Sequence, residues 1–326
     1  MAKRIFNFDE GSHTYTDDRN YAYTSVTTLK DKYCQQFDRV KHAKRLARTG
    51  KGHYYGKTYK EILAMWDKVT DTALDKGNSR HNFLEKGVKK ASGFVENWEK
   101  VKRPSGEMYT IPDILEDHNY GLIDLKLLEE TIGIKYPAIW IAISHYVKLD
   151  FRAYSEIVVY DDKYLVSGMI DLLLVHSDGR FVIIDWKTNK HDIKFEAGYY
   201  KRDEDQQTTT QWVTKSEKFL APLDGLDHCN GNEYAIQLSL YSRLVEKFGL
   251  RLEYIILCHI RENYQKNTYG MPYRDKEGQF IPIPELGERV QFHDIPYYKG
   301  HVDSMMNHNY NKTIGIYGMQ GKIFNT

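Results

Sequence analysis

GMIDLLLVHSDGRFVIIDWKT, residues 168–188, is two apolar runs joined by a turn. Runs of this length, rich in Leu, Ile and Val and bounded by turn residues, read as adjacent β-strands. Each carries one aspartate, Asp171 in the first and Asp185 in the second. Aspartate is depleted in strands, and a buried carboxylate without a partner is expensive. If Ser177-Asp178-Gly179 is a three-residue loop with its glycine left-handed, His176 faces Arg180. Counting back along both strands, Asp171 then lies opposite Asp185, with Cβ atoms roughly 5 Å apart. Lys187, two residues beyond Asp185, projects from the same face. A two-residue Asp-Gly turn would shift the register by one and separate the carboxylates. Facing carboxylates repel, and a hard divalent cation with oxygen ligands, Mg²⁺ or Mn²⁺, relieves that repulsion. The competing reading is that Asp185 and Lys187 cap the strand end, or that Asp171 pairs with an arginine.

Working outward, AYSEIVVY before this unit and YIILCHI well after it are further strands. Two readings stand for Glu156 in the first of them: a third oxygen donor, or an edge-strand charge in solvent. At the start, IFNF, a turn at DEGSH, TYTDD and AYTSV read as a short hairpin with a following strand. Thr24 or Ser25 then caps a helix. The chain reads as helical and charged to about Gly50, helical again from about Tyr59 to Lys90, and helical through 113–148. A polar stretch, 189–232, with the makings of a lid, leads to a helix at about 233–248. The expected architecture is α/β: a small mixed β-sheet flanked by helices, with a helical N-terminal part. We divide it as 1–150, a hairpin and helical region; 151–262, the core sheet and last helix; and 263–326, a C-terminal extension, all in one structural unit.

Two polar residues fall on apolar helical faces. Projected at 100° per residue, helix 233–248 has Leu238, Leu240, Tyr241, Leu244, Val245 and Phe248 on one arc, with Gln237 in its middle. A core-facing glutamine has two donors and an acceptor to satisfy; it bonds a neighbouring carbonyl or faces a polar ligand. In the long N-terminal helix, Leu63, Trp66, Ala73, Leu74, Gly77, Leu84 and Val88 share a face with His81 at its centre. Gly77, one turn before His81, leaves room for a close approach.

These residues, read in order, resemble the PD-(D/E)XK nuclease superfamily in its RecB-type branch. The pattern is His81 in KGNSRH, the G-x-x-D of Gly168 to Asp171, the D-x-K of Asp185 to Lys187, and the Q-x-x-x-Y of Gln237 and Tyr241. HTYTDDRNYAYTSVTTL and FLAPLDGLDHCNGNEYAIQLSLY look like RecB-family exonucleases of tailed bacteriophages and the related mitochondrial genome-maintenance exonuclease. The resemblance covers roughly residues 10–260 and implies a restriction-endonuclease-like core. It implies that Asp171, Asp185 and the backbone carbonyl of Trp186 hold Mg²⁺ or Mn²⁺, with His81 beside the metal and Glu156 as an auxiliary ligand. Lys187 positions or activates the attacking water, and Gln237 and Tyr241 contact the strand near the scissile phosphate. The implied activity is hydrolysis of phosphodiester bonds in DNA by an exonuclease acting on ends or single strands, in phage replication, recombination or DNA processing. Partner proteins for such a process are not named by the sequence. The alternative from another class is an assembly or nucleic-acid-binding module that keeps the fold without catalysis.

Composition bounds these readings. In 326 residues, 46 Lys+Arg balance 45 Asp+Glu for a net charge of +1, and 41% hydrophobic with 28% charged excludes wholesale disorder. Yet residues 30–60 hold ten basic residues against two acidic, a surplus of eight, leaving −7 for the remainder. Lys41, Lys44, Arg45 and Arg48 lie in that segment, with Tyr33, Phe37, Tyr54, Tyr55 and Tyr59 interleaved. Charge and stacking faces together suit a single strand; the other reading is a solvated helix face. Three cysteines cannot staple a four-thiolate iron–sulfur cluster or a fully paired disulfide framework, so no iron–sulfur cluster is expected. MAKRIFNFDE lacks the apolar core of a signal peptide, and no apolar run reaches membrane-spanning length. The expectation is a soluble cytoplasmic protein, in a host cell's cytoplasm if of phage origin, with no membrane partner.

Overall fold

A computed structural model describes residues 4–9, 14–50, 52–92, 108–116 and 121–317. Residues 10–13 of the expected first turn and Lys51 of the basic segment lie outside them. The chain is α/β, with a mixed sheet between helices. Its main sheet runs β1 (Phe6–Asp9), β2 (Thr14–Asp17), β3 (Ala22–Ser25), β5 (Val166–His176), β6 (Arg180–Lys187), β9 (Arg251–Glu262) and β10 (Glu288–Asp294). β4 (Phe151–Asp161) lies on the other edge of β5. β3 and β6 share one edge of β5 in succession: β3 runs parallel to it at Val166 and Ser167, and β6 antiparallel from Leu172. The edge between them, residues 168–171, is open in the ladder, and the G-x-x-D motif occupies it.

Ser25 caps α1 (Val26–Asp31), its side chain accepting from the Thr28 amide at 3.0 Å. The expected continuous helix to Gly50 is broken at 32–38, because Asp38 starts a second helix, α2 (Arg39–Thr49), by accepting from the Lys41 amide. Gly50, left-handed at φ 52°, ends it. A capping box between Thr58 and Glu61 opens α3 (Tyr59–Ala91). The helix expected over 113–148 is three pieces: α4 (Ile111–Glu116), α5 (Leu125–Leu128) running into a π turn, and α6 (Pro137–Lys148). α7 (Asn230–Glu246) starts three residues earlier than expected, and α8 (Lys299–Tyr317) follows β10.

The two sheet faces are covered separately. α1, α7 and α8 pack over Leu173, Ile183 and Leu257; α3, α5 and α6 pack over Leu172, Ile184 and Cys258. The projected face of α3 is buried only in its second half. Leu84 and Val88 are enclosed, but residues 67–76 are exposed throughout, with Leu74 at 56%. Along that part, Asp67 pairs with Arg39 of α2 and Lys76 with Glu262 at the end of β9. The polar stretch 189–232 contains a two-stranded hairpin, β7 (Gly198–Arg202) and β8 (Thr208–Thr214), which the sequence reading missed.

Candidate active site

Gly179, at φ 87°, donates its amide to the His176 carbonyl and closes the expected three-residue loop. The β5–β6 register is therefore Val175↔Phe181 through Leu172↔Ile184, which extended by one residue sets Asp171 across from Asp185. The β4–β5 register, Ser155↔Leu172 and Ile157↔Ile170, sets Glu156 across from Asp171. Three carboxylates thus fall in one row over three neighbouring strands. Glu156 takes φ 57°, a left-handed conformation that costs an ordinary side chain about 1–3 kcal/mol. The pleat slips there: Tyr154 and Ile157, three apart, face the same core, as do Ile170 and Leu173.

Asp171 Oδ2 accepts from the Trp186 amide at 2.8 Å and lies 3.6 Å from His81 Nδ1 on α3. A strand residue turns its N–H and C=O to the same side, so the Trp186 carbonyl also faces β5. Asp185 Oδ2 and Lys187 Nζ stand 2.6 Å apart as an ion pair, yet that buried oxygen receives no aligned hydrogen bond. Burial and the Asp185 charge push the Asp171 carboxyl up to about 6, against the pull of His81, Lys187 and the Trp186 amide. Burial, Asp171 and Glu85 raise the Glu156 carboxyl well above the usual range. Burial works against the Lys187 ammonium, but Asp185 and Asp171 outweigh it and hold its pKa above the ordinary lysine value.

α7 covers the row. Gln237 Nε2 donates to Tyr241 Oη at 3.3 Å, so this half-buried glutamine has a side-chain partner and not the carbonyl considered above. The reason for a glycine in G-x-x-D is steric: a Cβ on Gly168 would stand 2.6 Å from the Tyr241 ring. Gly77 makes similar room, a Cβ there falling 3.2 Å from Thr188 Oγ1. His81, Glu156, Asp171, Asp185, Lys187, Gln237 and Tyr241 are thus brought to one place. Lys41, Lys44, Arg45 and Arg48 are exposed on α2, and no described contact joins them to it. Two neighbours escaped the sequence reading. Tyr234 offers its ring to Lys187 Nζ at 5.4 Å, and Glu85 acts on Glu156 while pairing with Lys89. Glu85 stands one helical turn past His81 and Tyr234 one turn before Gln237, so helical spacing was the available signal.

The donor set fits a hard divalent cation: three carboxylates, a strand carbonyl and an imidazole, with the Lys187 ammonium as the one lysine paired to them among the described residues. A second metal-type group, Cys34, His228 and Glu233, has ligand atoms within 4.8 Å of one another. Its chemistry differs. Lys30 Nζ already sits 3.1 Å from Glu233 Oε2, and burial pushes the Cys34 thiol up to about 11. Glu233 there is already paired with Lys30, whereas the three carboxylates of the row share the single ammonium of Lys187.

No protein-family model and no curated protein matches the chain. Among solved structures, it is similar to a candidate exonuclease from Eubacterium rectale, with 14% identity over 84% of this chain and 77% of that one, at a TM-score of 0.30. A second, SSO0001, shares 13% identity over 72% of this chain and 86% of its own, at a TM-score of 0.22. Overlaps this loose do not define a common fold. What the structure defines is an α/β chain with an acid row and one lysine at an open sheet edge. No helix among the described residues is long and apolar enough to cross a membrane.

Proposed function

We propose that the chain is a divalent-metal-dependent deoxyribonuclease, an exonuclease acting on DNA ends or single strands, built on a PD-(D/E)XK core of the RecB type. The observation that carries this is the row Glu156, Asp171 and Asp185, flanked by Lys187 and His81 and covered by α7. β3 and β10 joining one sheet supports treating the three sequence regions as one unit. Phage replication, recombination or DNA processing is the setting the resemblance implies.

Asp171, Asp185, Glu156, His81 and the Trp186 carbonyl are the groups that would hold Mg²⁺ or Mn²⁺. When bound, such an ion lowers the pKa of water and neutralises charge on a phosphate. Lys187, kept protonated by Asp185 and Asp171, supplies a donor to a phosphate oxygen or the attacking water. The Tyr234 ring and the Asp185 carboxylate fix where that ammonium points. Gln237 and Tyr241 present an amide and a hydroxyl beside the row, suited to a strand next to the broken bond.

The test is digestion of end-labelled and circular DNA, single- and double-stranded, with Mg²⁺, Mn²⁺ or EDTA. Linear DNA is degraded only with metal, and circles survive. Cutting of a closed circle overturns the exonuclease assignment, and undiminished activity in EDTA overturns the metal mechanism.

A further inference from the structure

Beyond Lys187 the chain enters a cavity of about 980 Å³, walled by the β7–β8 hairpin, the segment 190–196 and the segment 261–280. Lys190 is three residues past Lys187, so its Cα lies within roughly 11 Å of the Lys187 Cα. The walls are stitched rather than loosely apposed. Gln207 and Arg274 exchange hydrogen bonds at 2.8 and 2.9 Å, and Asn267 Nδ2 donates to the Thr208 carbonyl at 2.8 Å.

Three cations of this wall, Lys190, Arg202 and Arg274, form no ion pair among the described residues. Arg274 donates to Thr208 Oγ1 and the Gly278 carbonyl, and Lys190 to Gln279, all neutral acceptors. Burial and Arg202 push the Arg274 guanidinium down to about 10, and burial and Arg274 lower Lys190. The acids of the cavity have other partners: Asp192 pairs with Arg261 of the same wall, Glu262 with Lys76 and Glu217 with Lys215, Glu196 accepts from Thr214, and Asp192 and Glu196 act on Lys194. Like charges gathered without counter-charge are unfavourable unless an anion joins them. Flat rings alternate with the cations. Phe280 lies under Arg274 at 4.4 Å and Lys190 at 5.5 Å, Tyr200 and Trp212 flank Lys194, and Tyr199 is 49% exposed.

We infer that this cavity is a binding site for single-stranded DNA, with Lys190, Arg202 and Arg274 on its phosphates and the rings on its unpaired bases. Charge that tracks a backbone, combined with stacking faces, is how single strands are held without regard to sequence. The size excludes a duplex. If spherical, the cavity is about 12 Å across, no wider than the major groove alone at roughly 12 Å and so narrower than the duplex that contains it. The path continues past it, because His53, in the loop after α2, packs against Gly278, and Gly52 meets Gln206 at the hairpin tip. The basic helix thus leads to the cavity, and the cavity to Lys187. In naming DNA, the inference rests on the nuclease reading; the anion site stands on its own geometry.

The experiment measures fluorescence anisotropy of a labelled oligothymidylate in EDTA, with the full chain and its Lys190→Glu/Arg202→Glu variant. Arg202 is exposed, and Arg274, which stitches the walls, is left in place; thermal melting verifies that the variant is folded. Single-strand affinity falls tenfold or more, and the slope of log K against log salt shrinks by about 0.7 for each phosphate no longer neutralised. Binding of a blunt duplex with as many phosphates changes by less than threefold. A folded variant that binds the single strand like the parent, or one that loses duplex binding equally, overturns the inference. Asp185→Asn separates the two claims. If it still digests DNA, the active-site assignment fails while the binding result stands; if it is dead while the cavity variant binds normally, the reverse holds.

Discussion

Glu156 is the residue at which the backbone and the charge both run against ordinary preference. It holds a left-handed φ in mid-strand, and its carboxylate faces Asp171. Strain of this kind persists where surrounding structure over-determines it, which is common at functional sites. The sign of its effect on stability follows from linkage. A carboxyl whose folded pKa is raised costs nothing below its unfolded pKa, and its penalty is complete above the folded one. For Asp171, raised from 3.8 to about 6, that penalty is roughly 3 kcal/mol, and Glu156 moves in the same direction. The metal-free chain should therefore lose stability from these two groups as pH rises from about 4 through 6 and beyond. Urea denaturation in EDTA, at a series of pH values, should show a shallower loss for Glu156→Gln than for the parent. Adding Mn²⁺ near pH 8 should restore the parent by more than the variant; equal pH slopes, or equal restoration, would show that the row is not an electrostatic unit. For the reaction itself, Asp185→Asn and Lys187→Ala should each lower metal-dependent degradation by ~10²–10³-fold or more, while single-strand binding changes little. Parent-like rates from both variants would place the chemistry elsewhere.

At the scale of elements, the β5–β6 hairpin was legible because loop chemistry and apolar pattern agreed, and the register follows from them. The caps at Ser25 and the capping box at Thr58 were also written in residue type. β7 and β8 were not legible: GYYKR and TTTQWVT are short and bury only Thr208, so no alternation of core and solvent marks them. α3 misled for the opposite reason, as its apolar residues continue in helical spacing over a stretch that is exposed. The slip of the pleat at Glu156 is visible in hindsight as a three-residue spacing between Tyr154 and Ile157, but only pairing with β5 makes it a feature of a site. Gln237 and Gly168 show how elements hold one another. With Gly168→Ala, the new Cβ meets the Tyr241 ring at 2.6 Å and Val26 at 3.2 Å, so α7 or α1 must move. Overpacking of this size costs about 1–3 kcal/mol. The variant should melt lower and lose activity, and Gly168→Ala/Tyr241→Leu should regain much of the stability but not the activity. A double variant no more stable than the single one would mean that the ring is not what the glycine accommodates.

Over the whole molecule, a net charge of +1 conceals a division of labour. The acid row sits at the open edge of the sheet, where uncompensated carboxylates repel a phosphate backbone until a cation neutralises them. The basic residues of α2 stand apart from it, exposed, with Lys44 over the Tyr59 ring at 5.5 Å. If they steer DNA toward the site, they act through long-range field and counterion release, not through the chemical step. Replacing Lys41, Lys44, Arg45 and Arg48 together by glutamate should weaken DNA binding at low salt by an order of magnitude or more. The salt slope should fall by about 3 if all four reach single-strand phosphates, with the maximal rate at saturating DNA changed less than threefold. The difference from the parent should also shrink at high salt, because screening removes what the charges contribute. A lowered maximal rate with an unchanged salt slope would contradict this, since it would mean that the helix supports the catalytic geometry and does not carry the strand.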